Sequence, residues 1–162
     1  MSNYRKDFPL MNREDSPIYL DSACMTLRPQ QVIDAITEYY TDYPACGGRS
    51  VHKLSWQVTE KFEMARDSLR KFVGAEQPSE IVFTKNATEG MNIVANGLRL
   101  KKGDHVLTSD KEHNANVVPW HHLSKYNGIK YDVLEPKDNY FFDLEALKES
   151  ITSNTKIFSF VH

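Results

Sequence analysis

Apolar positions in the first half of the chain recur at helical spacing. From Gln30 they return every three or four residues until Pro44 ends the pattern, which predicts a first helix. A second apolar stripe runs from Val51 to Phe72 and predicts a longer helix. Gly74 follows that stripe at the place where a left-handed cap residue is typical.

From residue 80 onward, short apolar runs alternate with helical patterns. Four strands are predicted, at Glu80–Thr84, His105–Ser109, Ile129–Leu134 and Lys156–Val161. The helices between them are expected at about Thr88–Leu100, Asn116–Asn127 and Asp143–Ile151. This alternation is typical of an α/β fold, here an N-terminal helical segment followed by a mostly parallel sheet with flanking helices.

The last predicted strand is unusually apolar for the end of a chain. It is rich in Ile, Phe and Val, and such a strand is normally internal in an α/β sheet. We therefore expect residues 1–50 to form an N-terminal segment with the first helix. We expect residues 51–162 to be the N-terminal part of an α/β domain that is truncated here.

Composition and charge narrow the possible classes of protein. The chain has 162 residues, 40% hydrophobic and 26% charged, with a formal net charge of -2. These values fit a soluble globular protein and favour neither nucleic acid nor a membrane surface as partner. The polar first residues do not resemble a secretory signal, and two isolated cysteines, Cys24 and Cys46, suit a reducing compartment. We expect a cytoplasmic protein.

Two polar residues follow neighbouring predicted strands. Thr88 comes after the first strand and His113 after the second, and ligands of open α/β sheets gather at these carboxyl ends. Free amide groups at a helix start, with the Thr88 hydroxyl, suit a phosphate, and an imidazole suits ring stacking or proton transfer. Alternatively, Thr88 is a simple N-cap and His113 a solvated side chain. The sequence contains neither GxGxxG nor a Walker motif.

The six histidines do not point to a metal site. His121 and His122 are adjacent on a predicted helix, so their side chains diverge by about 100°. His113 and His121 have no companion carboxylate or thiolate at a recognised ligand spacing. We expect no metal ion.

Five short blocks follow one another in a distinctive order, at Tyr19–Ala23, Gly48–His52, Glu80–Thr84, Ala87–Asn92 and Glu112–Trp120. In order and spacing they resemble the class V aminotransferase family of pyridoxal-phosphate enzymes, and most closely its cysteine desulfurases and selenocysteine lyases. The resemblance runs from Ile18 to the end of the chain. It implies the large domain of the fold type I pyridoxal-phosphate transferases, of which only the N-terminal part is matched.

The resemblance assigns cofactor-binding roles to one turn and one histidine. Thr88 matches the threonine that binds the cofactor phosphate, with Ala87 and Glu89 beside it in the same turn. His113 matches the catalytic histidine that stacks on the pyridine ring and transfers a proton. Family members usually carry Gly before the Thr-Glu pair, whereas this chain has Asn86 and then Ala87. The absence of a hydroxyl at Ala87 removes one potential phosphate contact.

Three further residues are placed near the substrate or a dimer interface by the same resemblance. Ala23 matches the N-terminal segment that approaches the substrate. Arg49 and His52 match a segment at the mouth of the active site that is shared across a homodimer interface.

Several catalytic groups of the family have no counterpart in this chain. Its anchoring lysine, the aspartate that pairs with the ring nitrogen and the sulfur-accepting cysteine all lie downstream of the matched part. Lys85 and Lys111 match no anchoring motif, and neither cysteine matches the nucleophile. We therefore expect this chain alone to be inactive.

The activity that the resemblance implies is removal of sulfur from cysteine, which leaves alanine and an enzyme persulfide. The cofactor would be pyridoxal 5'-phosphate, and the partners would be a second copy of the complete protein and a sulfur acceptor protein. Two alternatives are another class V reaction on an amino acid and a non-catalytic subunit of a split enzyme. The split enzyme would require a complementing C-terminal chain.

Overall fold

The fold was determined from a computed structural model that describes residues 4–135 and 144–161. Packing divides the chain into two compact units, Met1–Ile81 and Val82–His162. This is a division by internal packing, and the domain boundary expected after residue 50 stays a prediction. The described helices include none that is both long and apolar enough to cross a membrane.

The first unit contains the two predicted helices, α1 (Gln30–Asp42) and α2 (Lys53–Val73). α1 starts after the extended residue Pro29. α2 ends at Gly74, whose φ of 74° is the left-handed conformation that glycine adopts without steric cost. Both predicted helices and the glycine cap are confirmed. Single 3-10 turns occur at Tyr4–Asp7, Pro9–Asn12 and Pro78–Glu80.

The loop before α2 is held to that helix by hydroxyl groups. The Ser55 hydroxyl donates to the carbonyl of Cys46 at 2.6 Å, and the Gly48 amide donates to Thr59 Oγ1 at 2.8 Å. Ser55 and Tyr43 are the buried residues of this unit within its described part. The interior of the first unit is therefore very small.

A lysine links the two helices of the first unit. Lys61 of α2 donates to Glu38 of α1 at 2.5 Å, and its ammonium lies 4.6 Å from the centre of the Tyr43 ring. Hydrogen bonds to Glu38 and Tyr43 raise the pKa of Lys61, so its charge is stabilised. The contact is solvent-exposed, so its contribution to the free energy of unfolding is expected to be small.

The second unit is the predicted parallel α/β structure. Its described elements follow in the order α3 (Ala87–Gly97), β1 (His105–Ser109), α4 (Asn114–Asn127), β2 (Lys130–Leu134), α5 (Leu144–Ser150) and β3 (Thr155–Ser159). The strands form one sheet in the order β2-β1-β3, and both pairings are parallel. The expected fold class is confirmed.

The core of the second unit lies between the central strand and two helices. All five residues of β1, the central strand of the described sheet, are buried. A cluster of buried apolar side chains packs against it, consisting of Ala95, Val106, Trp120, Leu123 and Ile129. This cluster fixes α3 and α4 relative to the sheet.

The first predicted strand, Glu80–Thr84, is wrong. Pro78–Glu80 forms a 3-10 turn, and the residues up to Thr84 are extended without strand pairing. Val82 is 69% exposed, although its apolar neighbours suggested burial. A strand requires hydrogen bonds to a neighbouring strand, and these residues do not pair with β1, β2 or β3 in the described sheet.

The remaining differences concern element ends. α3 and α4 each begin before the predicted residue, at Ala87 and Asn114. β3 ends at Ser159, two residues before the predicted end. The predicted cap of α5, Asp143, lies outside the described residues. Such shifts are usual, because the cap geometry rather than the apolar pattern sets a helix end.

Candidate functional site

A cleft opens where the N-terminal ends of α3 and α4 lie close together. It has a volume of about 300 Å³ and is lined by Thr88, Asn92, His113, Asn114, Ala115, Val118 and Pro119. The structure thus brings Thr88 and His113, which are 25 positions apart, to one cleft. They meet because α3 and α4 pack against each other in the second unit.

The start of α3 leaves donors available at this cleft. Asn86 is the N-cap, and its side-chain oxygen accepts the Glu89 amide at 2.9 Å. The Glu89 carboxylate in turn accepts the amide of Lys85. Thr88 is therefore not the cap, as the alternative interpretation had supposed, and Glu89 has a role in capping.

The uncommitted groups at this helix start are two amides and a hydroxyl. Within the described residues, the N–H groups of Ala87 and Thr88 and the Thr88 hydroxyl have no hydrogen-bond partner. These donors lie at the positive end of the helix dipole, where an anion is stabilised. The arrangement suits a phosphate group.

The start of α4 fixes the position of His113. His113 is the N-cap of this helix, and its Nδ1 accepts the amide of Ala115 at 3.0 Å. Its carbonyl oxygen also accepts the amide of Asn116, at 2.8 Å. In the neutral ring, an Nδ1 that accepts a hydrogen bond carries no hydrogen, so the ring hydrogen is on Nε2. His113 is exposed but has a defined orientation, which a freely solvated side chain lacks.

The other three predicted site residues lie in the first unit. Ala23 is exposed in a turn, and Arg49 is exposed in the loop before α2. His52 is the N-cap of α2, and its Nδ1 accepts the amide of Ser55 at 3.3 Å. The roles of these three residues in substrate binding or dimer formation stay predictions.

A polar network beside the cleft was missed by sequence reasoning. It centres on Glu112 and Asn116, which are joined by a 2.7 Å hydrogen bond. Asn116 also accepts the indole N–H of Trp120, at 3.1 Å. The four-residue spacing of Asn116 and Trp120 places both on one side of α4, and Glu112 precedes Asn116 by the same interval, in the turn before the helix. That spacing was the signal available in the sequence.

No group of three or more His, Cys, Asp or Glu side chains among residues 4–135 and 144–161 is arranged to hold a metal ion. The two adjacent histidines are engaged elsewhere. The His121 ring packs edge-on against Tyr131, and the His122 ring packs against Tyr126. Cys24 and Cys46 are both free thiols and both exposed.

The family model described as "Aminotransferase class-V" matches residues 18–162. The match covers most of the chain, so the chain belongs to the class V aminotransferase family. Pyridoxal phosphate is the cofactor implied by this family.

The chain is similar to cysteine desulfurases over nearly its whole length. It is 38% identical to a protein of Streptomyces coelicolor named as a probable cysteine desulfurase, covering 97% of this chain and 40% of that protein. It is 37% identical to a cysteine desulfurase of Escherichia coli O7:K1, covering 98% of this chain and 40% of that enzyme. The chain thus spans about two fifths of the length of these relatives.

A solved structure shows the same likeness in three dimensions. The apo cysteine desulfurase of Thermococcus onnurineus NA1 superposes with a TM-score of 0.85 at 37% sequence identity. The match covers 96% of this chain and 38% of that one. The fold is therefore part of a cysteine desulfurase fold, with the parallel sheet and flanking helices described above.

Proposed function

We propose that this chain is the N-terminal portion of a pyridoxal-phosphate enzyme that removes sulfur from cysteine. In this reaction an enzyme thiol takes up the sulfur of cysteine as a persulfide, and alanine is released. The named relatives support the substrate and the reaction. The single observation that carries the proposal is the cleft that Thr88 and His113 share.

The residues of the cleft fit the two ends of the cofactor. The amides of Ala87 and Thr88 and the Thr88 hydroxyl would hold the phosphate, which carries the negative charge that the helix start favours. The flat ring of His113 would face the pyridine ring. When bound, pyridoxal phosphate supplies an electron sink for bonds broken at the substrate.

His113 has one ring atom available for proton transfer. Its Nδ1 is occupied by the amide of Ala115, which leaves Nε2 to hold or release a proton. The same hydrogen bond keeps the ring at the start of α4, so the stacking surface does not rotate freely. His113 would therefore act both as a support for the cofactor and as an acid or base.

Other parts of the proposal concern the protein beyond the cleft. The anchoring lysine and the aspartate of the family are not matched in this chain, so we propose that it is inactive alone. We also propose homodimer formation through surfaces that include Arg49 and His52, with Ala23 on the substrate side. A cytoplasmic location is consistent with the free thiols of Cys24 and Cys46.

The test is a fluorescence titration of the 162-residue chain with pyridoxal phosphate. We expect weak saturable binding, and Thr88→Val and His113→Ala should each raise the dissociation constant about tenfold by removing one direct contact. His122→Ala is the matched control, because His122 is exposed on the same helix but does not line the cleft. Absence of saturable binding, or equal loss in the control, would refute the cleft as the cofactor site.

Chemistry at lysine provides an independent check. Borohydride makes a lysine-bound pyridoxal phosphate permanent, and we expect no stoichiometric labelling of a single lysine in this chain. We also expect no alanine from L-cysteine with the chain alone. Labelling of one specific lysine would show that the anchor is present after all.

A further inference from the structure

We propose that Glu112 is a positioning residue that holds His113 in place for the cofactor. This inference rests on the proposed function, since it concerns the same cleft. Glu112 does not line the cleft, and it precedes the histidine directly in the chain. Its carboxylate would act through the backbone that it fixes.

The Glu112 carboxylate accepts hydrogen bonds from three different parts of the second unit. Oε1 accepts the Ser109 hydroxyl at 2.5 Å and the amide of Val161 at 2.8 Å, and Oε2 accepts the Asn116 side-chain amide at 2.7 Å. Ser109 ends β1, Asn116 lies in the first turn of α4, and Val161 follows β3. One side chain thus ties the turn before His113 to two strand ends and a helix.

Asn116 connects Glu112 to two further residues, and these contacts fix the orientation of its side-chain amide. Its Oδ1 accepts the hydroxyl of Ser159 at 2.6 Å and the indole N–H of Trp120 at 3.1 Å. Because both partners are donors, the oxygen of Asn116 must face them, and its NH₂ group must face Glu112. The network therefore requires, at position 112, a side chain that accepts hydrogen bonds and donates none.

This requirement distinguishes a carboxylate from an amide. A glutamine at position 112 could accept from Ser109 and Val161 through its oxygen, but its NH₂ would then face the NH₂ of Asn116. Two donors in contact leave at least one hydrogen bond unmade in a half-buried site. The turn that carries His113 would lose its connection to α4.

The position of His113 depends on the same turn. Its Nδ1 contact with Ala115 and its carbonyl contact with Asn116 both span the step from the turn into α4. Small displacements of a stacking group weaken binding strongly, because the productive geometry is narrow. Glu112 and Asn116 therefore set where the imidazole lies.

The experiment uses Glu112→Gln, the double variant Glu112→Gln with Asn116→Asp, and a control. In the double variant, the amide introduced at position 112 donates to the carboxylate introduced at position 116, and every other hydrogen bond of the network keeps its donor and acceptor. The net charge of the double variant equals that of the original chain. Glu149→Gln is the matched control for loss of one carboxylate, because Glu149 is exposed on α5 in the described part of the same unit.

Three quantities are measured on the full chain: the dissociation constant for pyridoxal phosphate, the ¹⁵N chemical shift of His113 Nδ1, and the urea midpoint. We expect Glu112→Gln to raise the dissociation constant about fivefold, the effect of one lost hydrogen bond. The His113 Nδ1 signal should move as well. The double variant should restore both, and Glu149→Gln should change neither.

The outcomes separate this inference from the proposed function. If the original chain binds no pyridoxal phosphate, the proposed function fails, and the His113 signal still decides whether Glu112 positions the ring. If Glu112→Gln lowers the urea midpoint but leaves the His113 signal and the dissociation constant unchanged, Glu112 is merely structural and the inference is overturned. The same holds if the double variant does not restore the signal.

Discussion

The two units of this chain differ most in how much they bury. In the second unit, β1 is buried along its whole length and a cluster of apolar side chains surrounds Trp120. In the first unit, α1 has no buried residue, and the buried positions of its described part are Tyr43 and Ser55. Both units nevertheless have well-formed regular elements.

The difference follows from how helices and strands satisfy their backbone groups. A helix makes its hydrogen bonds within itself, so α1 and α2 form from local signals with little tertiary packing. A strand makes them with another strand, so the sheet exists only together with its core. Most helix stability in proteins nonetheless comes from packing of an apolar face.

The apolar face of α1 is not covered within the first unit. Val32, Ile36 and Tyr40 are between 40% and 69% exposed, and they line a groove of about 780 Å³ between α1 and α2. Large exposed apolar surfaces of this kind mark interaction sites in soluble proteins. The first unit is therefore expected to be the less stable of the two when the chain is studied alone.

The largest difference in stability between the two units is expected when the two tryptophans of the chain are replaced. Trp120 is 1% exposed in the second unit, and Trp56 is 63% exposed in the first. Trp120→Ala should lower the free energy of unfolding of the second unit by about 3–5 kcal/mol, because it leaves a cavity. Trp56→Ala should change stability by about 0.5 kcal/mol or less. Urea unfolding followed by circular dichroism measures both.

Each tryptophan also reports on its own unit. In Trp56→Phe, the fluorescence of Trp120 should change at the urea midpoint of the second unit. In Trp120→Phe, the emission of Trp56 should be that of a solvent-exposed indole already in the absence of urea. Coincident transitions in both variants would show that the units unfold together and that their stabilities do not differ.

An intermediate effect is expected at the two glycine caps. Gly74 ends α2 and Gly128 ends α4, with φ values of 74° and 72°. Alanine at either position should cost about 1–2 kcal/mol, since the left-handed conformation is unfavourable for a residue with a Cβ. Gly128→Ala should lower the unfolding free energy of the core-bearing unit, whereas Gly74→Ala should mainly reduce helix content.

A structural detail makes the Gly128 substitution more severe. A Cβ there would lie 3.2 Å from Cγ of Lys102, and the Gly128 carbonyl accepts the amide of Gly103 at 3.0 Å. Among the described residues beyond its two chain neighbours, no heavy atom lies within 4 Å of a Cβ at Gly74. Hydrogen exchange of the last turn of each helix measures the two effects, and equal loss of protection in both would contradict the comparison.

The smallest effect is expected from a surface carboxylate of α2. Hydrogen bonds from Lys71 and Arg70 lower the pKa of Asp67 below its ordinary value of 3.8. The lowered pKa stabilises the folded state in full above the ordinary value, and the contribution is lost as the pH falls from that value through the lowered pKa of the folded state. Asp67→Asn should therefore reduce the pH dependence of α2 helicity below about pH 4.

The control for this substitution is Glu60→Gln, which removes an exposed carboxylate from the same helix. Circular dichroism of both variants from about pH 2 to about pH 7 at low salt gives the comparison. Added salt should shrink the difference, because exposed charges are screened. An unchanged acid transition in Asp67→Asn would mean that the Lys71 and Arg70 contacts do not contribute to α2.

The accuracy of the sequence-based fold prediction varied with the kind of signal. β1 was predicted at its observed residues, and the Gly74 cap was predicted from one glycine after an apolar stripe. The segment Glu80–Thr84 had the same apolar composition as a buried strand but does not join the described sheet. Composition indicates that a segment can be a strand, whereas pairing depends on which partner is close.

The candidate site also combines features that the local sequence indicates with features that depend on packing. Thr88 and His113 were selected because each follows a predicted strand, and the structure places both at one cleft although the first of those strands does not form. What brings them together is the packing of α3 on α4. Asn86 and His113 are helix caps because of their backbone angles, and the identity of a residue in the sequence does not reveal its backbone angles.

Local periodicity was enough to predict the helices and their alternation with strands. Short blocks in a fixed order were enough to indicate the family. Packing in three dimensions was needed to show which extended segments pair and which apolar faces are covered. It was also needed to show that Glu112 links β1, α4 and the end of β3. The hydrogen bonds of Glu112 alone join residues up to 49 positions apart. Contacts at such separation are set by the packing of the whole unit, which no local pattern contains.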